Sequence, residues 1–459
     1  MFGVLIEKGP LDWQIFQQQE GRASIAAAGR FVLPQGEAFS CPMVWLRLVR
    51  EDSGMDVTGW QKAQMLPENR WKGVLSAPAG GLYRLESCLA EEDAAVLEWG
   101  VRGDMRHHLG VGDLYVIAGQ SNSAGYGKDP FYDPPELGVH LCRNSLRWDL
   151  ATHPMNDSTE SAHPVNTEGA NSGASPYLSF AKTLKRELGY PIGLIQTSLG
   201  GSPLSRWNLN ENGDLYRGMM EAIRAQGGIV KGVLWYQGCS DTNPAESASY
   251  LGRFAAVVSR FRAEMGAQVP WLTVQLNRQL QNGGENVDRW WGQVREAQRQ
   301  AARIIPGVSV VPSTDCTLSD GIHNSAAANV LLGERLAGAA LRDIYGRSYG
   351  SPAPDLSEAV LQGPRCIALR FAHVAGRLFD TDSAQVRRRA VTVSDNEGEI
   401  PVEEMELAGD TLLVRLGRDA GEGCTVSAGW QQEPPVLMPV DFATHLPILS
   451  FFEAEVLSM

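Results

Sequence analysis

Short apolar runs alternate with longer segments of helical periodicity from about residue 109 to residue 348, and few folds accommodate that alternation. The apolar runs lie at 114–117, 192–196, 230–235, 271–275 and 308–311. Helical patterns lie between and after them, beginning at Ser175-Pro176 and then covering 215–225, 246–265, 288–303 and 326–341. Strands and helices that alternate in this way form a parallel sheet with helices on both faces. We therefore predict an α/β fold, a three-layer doubly wound parallel sheet, for this part of the chain.

The two flanking regions show a different pattern, in which short apolar or alternating runs are separated by turn residues. Such runs occur at 23–27, 43–49, 81–87 and 95–99, and again after Ser351-Pro-Ala-Pro354, at 366–371, 390–393 and 411–416. Many short strands at this spacing are typical of β-sandwiches. We predict an N-terminal β-sandwich domain at 1–108, the α/β domain at 109–348 and a C-terminal β domain at 349–459.

One connection inside the α/β region is unusually long. Residues 126–173 are polar, contain five prolines and show no clear periodicity. A loop of this length in a compact domain is usually functional, or it contains short elements that the pattern does not reveal.

The first predicted strand of the α/β region ends in a turn of small and polar residues. Ala118-Gly119 follows the strand, and Gln120-Ser121-Asn122 comes next. Open α/β folds bind ligands at the carboxyl edge of the sheet, and a strand that stops at small residues can deliver one side chain there. Ser121 is that candidate, but its hydroxyl needs a base to become a nucleophile. A polar turn that caps a helix would look similar, so the assignment depends on finding the base.

His323 is the one histidine of eight that follows a predicted strand of the α/β region. It is therefore expected at the same sheet edge as Ser121. Asp320 precedes it by three residues. The carboxylate of Asp320 could accept a hydrogen bond from Nδ1–H of His323, which would leave Nε2 facing the serine. Asp315 is close enough in sequence to take the same role. The structural alternative is a simple turn before a helix.

Acyl transfer also requires hydrogen-bond donors for an oxyanion, and two further strand ends offer them. Gly200 and Gly201 follow the second predicted strand, and glycines let backbone N–H groups approach a ligand closely. Gln237 follows the third, and its side-chain amide is another possible donor. Simple turn chemistry could explain either one. Because all these residues lie just past successive strand ends, they favour a single site.

Four short blocks of this sequence together resemble the SGNH hydrolases. They are Gly119-Gln-Ser-Asn122, Gly200-Gly-Ser202, Trp235-Tyr-Gln-Gly238 and Asp320-Gly-Ile-His323. More narrowly, they resemble the sialate O-acetylesterase-like branch, which includes plant-polysaccharide acetylesterases and whose members often carry β domains on both sides. The resemblance covers the α/β region closely and the flanks loosely. It implies an SGNH hydrolase, flavodoxin-like catalytic domain.

The resemblance assigns roles to particular residues. Ser121 would be the nucleophile, His323 the base and Asp320 its orienting acid. The oxyanion hole would be the Ser121 N–H, a Gly200 or Gly201 N–H and the Gln237 side chain, and the substrate-binding residues would be Gln120, Asn122 and Trp235.

The resemblance also implies an activity: a serine carbohydrate O-acetylesterase, acting without metal or cofactor on acetylated sialic acid or on acetylated plant-polysaccharide oligosaccharides. Two alternatives remain open at this stage. One is a non-catalytic carbohydrate-binding protein with a vestigial hydrolase core. The other is a lipase or thioesterase of the same fold, which would need an apolar acyl channel.

Two positions depart from the family pattern. Cys239 stands where the family usually has Glu, so local hydrogen bonding must differ there. We expect a structural role for it rather than a reactive thiol. Asn324 stands where Pro often follows the histidine, and we predict that Asn324 or Ser325 caps the next helix.

Composition excludes several classes of function. The net charge of −13 argues against a general affinity for nucleic acid or anionic membrane, and no apolar run approaches the roughly 18 residues of a membrane span. Seven scattered cysteines without a CxxC motif fit neither a disulfide framework nor a zinc site. The N-terminus does not resemble a signal peptide, so we expect a cytoplasmic protein with an acetylated mono- or oligosaccharide as its partner, or a secreted one if a leader was removed.

Overall fold

A computed structural model describes residues 2–33, 36, 39–169, 173–280, 284–380, 390–434 and 438–458. The strands before the central sheet, in chain order, are β1 (Gly3–Lys8), β2 (Ile15–Gln17), β3 (Arg22–Val32), β4 (Pro42–Arg50), β5 (Gln61–Lys62), β6 (Gln64–Leu66), β7 (Arg70–Pro78), β8 (Gly80–Glu91) and β9 (Val101–Arg102). The next strands are β10 (Arg106–Gly119), β11 (Val139–Cys142), β12 (Trp148–Leu150), β13 (Ile192–Gln196), β14 (Gly232–Tyr236), β15 (Trp271–Val274) and β16 (Val308–Val311).

The remaining strands are β17 (Asp355–Gly363), β18 (Cys366–Ala372), β19 (Leu378–Phe379), β20 (Val391–Asp395), β21 (Gly398–Ile400), β22 (Val402–Ala408), β23 (Thr411–Leu416), β24 (Thr425–Ala428), β25 (Val440–Asp441) and β26 (Phe451–Glu455). The α-helices are α1 (Ser121–Ala124), α2 (Tyr177–Leu188), α3 (Asp214–Ala225), α4 (Tyr250–Met265), α5 (Glu285–Ile304) and α6 (Ala326–Asp343).

The central sheet confirms the predicted α/β fold. Its strand order is β12-β11-β13-β10-β14-β15-β16, and all neighbours except the β11–β12 pair are parallel. Every residue of β13 and of β14 is buried, as expected for strands covered on both faces. Helix α2 packs against α6, and α4 packs against α5. The five predicted strands are all present. Strands β11 to β13 lie on one side of β10 and β14 to β16 on the other, so β10 lies at the topological switch point of the sheet.

Strand β10 belongs to two sheets at once. Its first half pairs with β8 and β2 of the N-terminal region, and its second half pairs with β13 and β14. The predicted domain boundary at 108/109 therefore lies inside one continuous strand. A boundary of this kind has no linker, and for that reason no change in composition marks it.

The N-terminal region contains two antiparallel layers. One is the sheet β1-β3-β7-β6, and the other is formed by β4, β5, β8 and β9 together with the start of β10. Side chains of both layers share one hydrophobic core, which includes Ile25 and Trp71 from the first layer and Leu46 and Leu85 from the second.

The C-terminal region also has two four-stranded antiparallel sheets. Their orders are β17-β18-β23-β22 and β21-β20-β24-β26. Leu369 and Val414 of the first sheet lie in the same core as Val426 and Phe451 of the second.

One local prediction differs from the structure, and one of the two alternatives for the long connection is confirmed. The run at 95–99 is not a strand, because only a 3-10 turn at Leu97–Trp99 forms there. The long connection 126–173 contains β11 and β12, which extend the sheet beyond β13. Strands of three or four residues are too short to show periodicity in a sequence. Among the helices of the described residues, none is long and apolar enough to cross a membrane.

Gly112 tests the packing of the shared strand. A Cβ atom at this position would lie 1.8 Å from the backbone oxygen of Pro191. Pro191 directly precedes β13, so this oxygen cannot move away unless the start of that strand also moves. We expect Gly112→Ala to lower the free energy of unfolding by about 1–3 kcal/mol or more, measured by denaturant titration. Gly252→Ala is the control, because nothing lies within 4 Å of its Cβ position in α4. This control should raise stability by about 0.5–1 kcal/mol, and equal behaviour of the two variants would contradict the packing argument.

Candidate active site

The end of β10 is shaped by close contact with its neighbour β14. Gly119 has a φ of +125°, and a Cβ atom there would lie 2.3 Å from the carbonyl oxygen of Tyr236. That oxygen accepts the N–H of Gln120 at 3.0 Å. The chain then turns into the short helix α1, whose first residue is Ser121. Ser121 is thus delivered to the carboxyl end of the sheet at its topological switch point, as the sequence predicts.

His323 and Asp320 form a compact pair in the loop between β16 and α6. His323 Nδ1 lies 2.7 Å from Asp320 Oδ2, and Asp320 Oδ1 accepts the backbone N–H groups of Ile322 and His323 at 2.9 and 2.8 Å. Partial burial raises the pKa of Asp320, but the hydrogen bonds from His323 and from these two N–H groups outweigh it and lower the pKa below its usual value. The ionised carboxylate holds the proton of the imidazole on Nδ1, so that Nε2 is the basic nitrogen.

Asp315 does not contact the histidine in this structure. Its two carboxylate oxygens accept hydrogen bonds from the guanidinium of Arg335 at 2.7 and 2.6 Å. Of the two acids considered from the sequence, Asp320 is therefore the one placed to orient His323.

Asn122 joins the serine turn to the histidine loop. Its Oδ1 accepts the N–H of Asn324 at 2.9 Å, and its Nδ2 donates to the carbonyl of Ile322 at 3.2 Å. The side chain is buried, so the predicted substrate-binding role of Asn122 is wrong: it holds two loops together instead. Ser325 caps α6 by accepting the N–H of Ala328 at 3.1 Å, and Asn324 points inward.

A cavity of about 670 Å³ brings several predicted residues together. Ser121 and His323 both line it, and so do Gln120, Gly200 and Gly201. The other lining residues are Tyr126, Cys239, Ser240, Thr242, Gln279, Val287, Ile322 and Gln432. Residues that are up to 312 positions apart in the chain, from Gln120 to Gln432, thus meet at one site.

Gln120 lines the cavity and also supports its wall. Its Oε1 accepts the N–H groups of Gly238 and Ser240 at 3.0 and 3.3 Å. The turn after β14 is therefore fixed to the serine turn.

The Gln237 side chain does not reach the cavity, so its predicted place in the oxyanion hole is wrong. Its Nε2 donates to the buried carboxylate of Asp241 and to the carbonyl of Ser202, and its Oε1 accepts the hydroxyl of Tyr250. Burial raises the pKa of Asp241 to about 6, and a carboxyl group in such surroundings needs nearby donors. The amide is held at Asp241 for that reason.

Trp235 is likewise not a substrate-binding residue. It is 2% exposed and its ring packs against Trp207, Trp271 and Phe254, with centroid distances of 5.3 to 5.7 Å. Its bulk fills the core beneath the sheet instead.

Gly200 lines the cavity, but its N–H is already used. It donates to Glu168 Oε2 at 2.9 Å, and Glu168 Oε1 accepts Asn156 Nδ2 at 2.7 Å. Burial raises the pKa of Glu168. With Gly200 engaged in this way, the backbone N–H groups of Ser121 and Gly201 are the better candidates for oxyanion donors.

Among the site residues that sequence reasoning missed, four have contacts that shape the cavity. Tyr126 stacks on the imidazole of His323 with ring centroids 4.7 Å apart, and Glu168 bonds to Gly200. Gln279 and Gln432 form part of the cavity wall. None of the four lies in one of the four sequence blocks that resemble the SGNH hydrolases. Tyr126 and Glu168 belong to the long aperiodic loop, and the length of that loop was the one sign in the sequence that it contributes to the site.

The Cys239 thiol is not suited to nucleophilic chemistry. Burial raises its pKa to about 12, although the nearby Arg295 acts in the opposite direction. Its side chain packs against the central hydrophobic core. Each of the seven cysteines is a free thiol; Cys41 is exposed, Cys239 and Cys366 are partly exposed, and the other four are buried.

The chain is similar to known carbohydrate esterases in sequence and in fold. A family model described as "Carbohydrate esterase, sialic acid-specific acetylesterase" matches residues 111–342. A probable carbohydrate esterase of Arabidopsis thaliana is 31% identical over 251 residues, which are 50% of this chain and 90% of the plant protein. The crystal structure of a carbohydrate acetylesterase from Xanthomonas citri covers 97% of this chain and 99% of its own, with a TM-score of 0.65 and 22% identity. At that identity it shows a shared fold across all three regions.

The Cys239 thiol should react slowly with alkylating reagents. At neutral pH we expect iodoacetamide to label the exposed Cys41 first and Cys239 only on much longer exposure, because a thiol with a pKa of about 12 is rarely ionised. Peptide mass spectrometry of the native protein measures both rates, and Cys41→Ser is the control that removes the fast site. Rapid labelling of Cys239 would contradict its structural role.

Proposed function

Since the chain belongs to the sialic acid-specific acetylesterase family of carbohydrate esterases, we propose that it removes O-acetyl groups from sugars by a serine mechanism. One observation carries the proposal. Ser121 and a histidine paired with an ionised carboxylate line the same cavity at the switch point of the sheet. Three groups in this arrangement can activate a hydroxyl for attack on an ester.

In the first half of the reaction the serine is acetylated. Ser121 Oγ attacks the acetyl carbonyl while His323 Nε2 takes its proton. Asp320 stabilises the imidazolium that forms. The bond between the carbonyl carbon and the sugar oxygen then breaks, and His323 returns the proton to that oxygen.

In the second half water hydrolyses the acetyl-enzyme. His323 removes a proton from the water, the resulting oxygen attacks the acetyl carbon, and the proton passes to Ser121 Oγ as acetate leaves. In both halves negative charge develops on the carbonyl oxygen. The N–H groups of Ser121 and Gly201 are the proposed donors to that oxygen.

The cavity supports this activity over the two rivals. Lipases and thioesterases of this fold need an apolar channel for the acyl chain, whereas Gln120, Ser240 and Thr242 place polar side chains in the wall. A vestigial, purely binding core has no need for an oriented base, yet His323 is held by Asp320 and packed by Tyr126. Release of acetate from a panel of acetylated sugars tests the proposal directly.

Ser121 and His323 should behave as one catalytic unit. We expect Ser121→Ala and His323→Ala each to lower kcat for an aryl acetate by more than about 10³-fold, and the double variant to lose little more. Spectrophotometric turnover with far-UV circular dichroism as a folding control measures this. A folded Ser121→Ala variant with near-normal turnover would remove the serine from the mechanism.

The acid should be Asp320. We expect Asp320→Asn to reduce kcat by about 10²- to 10⁴-fold, because an amide neither selects the tautomer nor stabilises the imidazolium. Asp315→Asn is the matched control. It should retain activity within about tenfold. It should lose about 1–3 kcal/mol of stability, because an amide at position 315 is a weaker hydrogen-bond partner than a carboxylate for the Arg335 side chain, which is only 7% exposed. The reverse ranking of the two variants in kcat would transfer the role to Asp315.

A further inference from the structure

A second cavity lies between the outer face of the N-terminal sheet β1-β3-β7-β6 and the connection from α3 to β14. Its volume is about 800 Å³, which is larger than the cavity of the candidate active site. Strands of the sheet line one side of it, and residues 225–227 line the other. A smaller cavity of about 340 Å³ continues it, because the two share the lining residues Phe16, Ser24, Gln226 and Gly227. We call the two cavities together the sheet groove.

The sheet groove is separate from the candidate active site. Of the described residues, none lines both places. Residues 225–227 precede β14 and therefore lie at the amino end of the parallel sheet. Ser121 follows β10 and lies at the carboxyl end. A ligand in the sheet groove would thus bind at the opposite edge of the sheet from the reacting groups.

The charge of the sheet groove is opposite to that of the whole protein. The chain has a net charge of −13, yet the described residues that line the groove include four cations and no aspartate or glutamate. The cations are Lys8, Lys62, Lys72 and Arg22. The ammonium of Lys62 lies 3.5 Å from a carboxylate oxygen of Glu92, so its charge is partly compensated. Within the described part of the chain, the other three cations form no ion pair.

The register of the sheet determines where these three charges lie. Lys8 of β1 and Lys72 of β7 are both paired with Ala28, which lies on β3 between them. Neighbouring strands are about 4.8 Å apart, so the backbones of the two lysines lie about 10 Å apart across the sheet. Arg22 lies six residues before Ala28 on the same strand, a distance of about 20 Å along it. The sheet groove therefore has positive charge at both of its ends.

Arg22 is held in place by a partner that does not neutralise it. Its Nε donates to the hydroxyl of Ser76 at 3.1 Å, and its Nη2 donates to the carbonyl of the same residue at 3.2 Å. Ser76 lies on β7 and also lines the groove. Because both acceptors are uncharged, the guanidinium is oriented along the sheet and keeps its full positive charge.

Between the charged ends, the floor of the sheet groove is uncharged and made of small side chains. Ala26 is paired with Val74, and Ser24 is paired with Ser76. Val74 is 61% exposed, although it is apolar. The C–H faces of sugar rings can cover such a surface and remove it from water. Carboxylates on the same chain of sugars can then reach the cations at either end.

We propose that the sheet groove binds an acidic polysaccharide, a chain of sugars that carries several carboxylates. This binding goes beyond the proposed function, because it does not require that Ser121 or His323 react. Charge complementarity selects an anionic ligand, and the distance of about 20 Å between the charged ends selects a chain over a single sugar. The chain belongs to a family of carbohydrate esterases, which favours a polysaccharide over an acidic segment of a protein.

Titration of the full chain with a fluorescent oligogalacturonate tests this proposal, and a xylo-oligosaccharide of the same length is the neutral probe. At about 0.15 M salt the Debye length is about 8 Å, so negative charges on other faces of the protein are screened from the groove. We expect the oligogalacturonate to bind at least about tenfold more tightly than the neutral probe under these conditions. This preference should disappear at about 1 M salt, where the Debye length is about 3 Å. Equal binding of the two probes at the lower salt concentration, or binding of neither, overturns the acidic ligand.

A triple variant locates the binding site. The combined substitutions Lys8→Gln, Arg22→Gln and Lys72→Gln should weaken binding of the oligogalacturonate by about tenfold or more, because three exposed ion pairs with the ligand are lost. Far-UV circular dichroism checks that the variant is folded. Ser121→Ala should bind the oligogalacturonate as tightly as the unaltered protein, so this test gives an answer even if the proposed esterase function fails.

The matched control removes the same amount of charge from another face of the protein. Its substitutions are Arg365→Gln, Arg370→Gln and Arg415→Gln, at exposed positions of the C-terminal region where each arginine pairs with a carboxylate. Binding should stay within about twofold of the unaltered protein, because this face does not contact the ligand. Equal weakening in the two triple variants would show an effect of net charge alone and would overturn the sheet groove as the site.

Two further outcomes would assign the sheet groove to a different occupant. Tighter binding of poly-glutamate than of oligogalacturonate would indicate an acidic protein segment and overturn the polysaccharide. Self-association that the triple groove variant abolishes, measured by analytical ultracentrifugation in the absence of oligogalacturonate binding, would indicate the acidic surface of a second copy of the chain. That result would also overturn the proposal.

Discussion

The position of strand β10 determines most of the remaining structure. Its first half is hydrogen-bonded into the N-terminal sheet and its second half into the parallel sheet, so one continuous strand belongs to both sheets. Where the halves meet, the buried carboxylate of Asp113 accepts hydrogen bonds from Gln17 at 2.7 Å and from Tyr190 and Tyr345 at 2.9 and 2.7 Å. These contacts fix the strand along its own axis. Since Ser121 follows directly at its end, they also fix the height of the nucleophile above the sheet.

The remaining geometry of the site depends on side chains that bridge loops. Asn122 connects the serine turn to the loop of His323, and Gln120 connects it to the turn after β14. Such contacts orient the reacting groups before substrate arrives, which is the basis of electrostatic preorganisation. They also explain why Asn122, which was expected at the substrate, holds two loops together instead.

Local patterns in the sequence were sufficient to predict where strands end and which side chains stand at those ends. Ser121, His323 and the contact with Asp320 follow from that logic, and the structure brings them to one cavity. The direction of a side chain at a strand end cannot be predicted from these patterns, because it depends on which groups are buried beside it. Gln237 is drawn to Asp241, and Trp235 packs among other aromatic rings. Contacts between distant segments, such as Gly200 with Glu168 or Gln279 with Gln432, leave no periodic signal at all.

The hydrogen bond between Gly200 and Glu168 changes what a ligand oxygen can gain at that position. An oxygen that binds the Gly200 N–H replaces a carboxylate that is already there, so the net free energy is the difference between two hydrogen bonds and not the value of one. A neutral ester carbonyl is the weaker acceptor and gains nothing from such an exchange. An oxygen that has acquired full negative charge competes on equal terms. A donor with a resident competitor therefore adds little to the stabilisation of an ionic intermediate, which is why the N–H groups of Ser121 and Gly201 are the better candidates for that role.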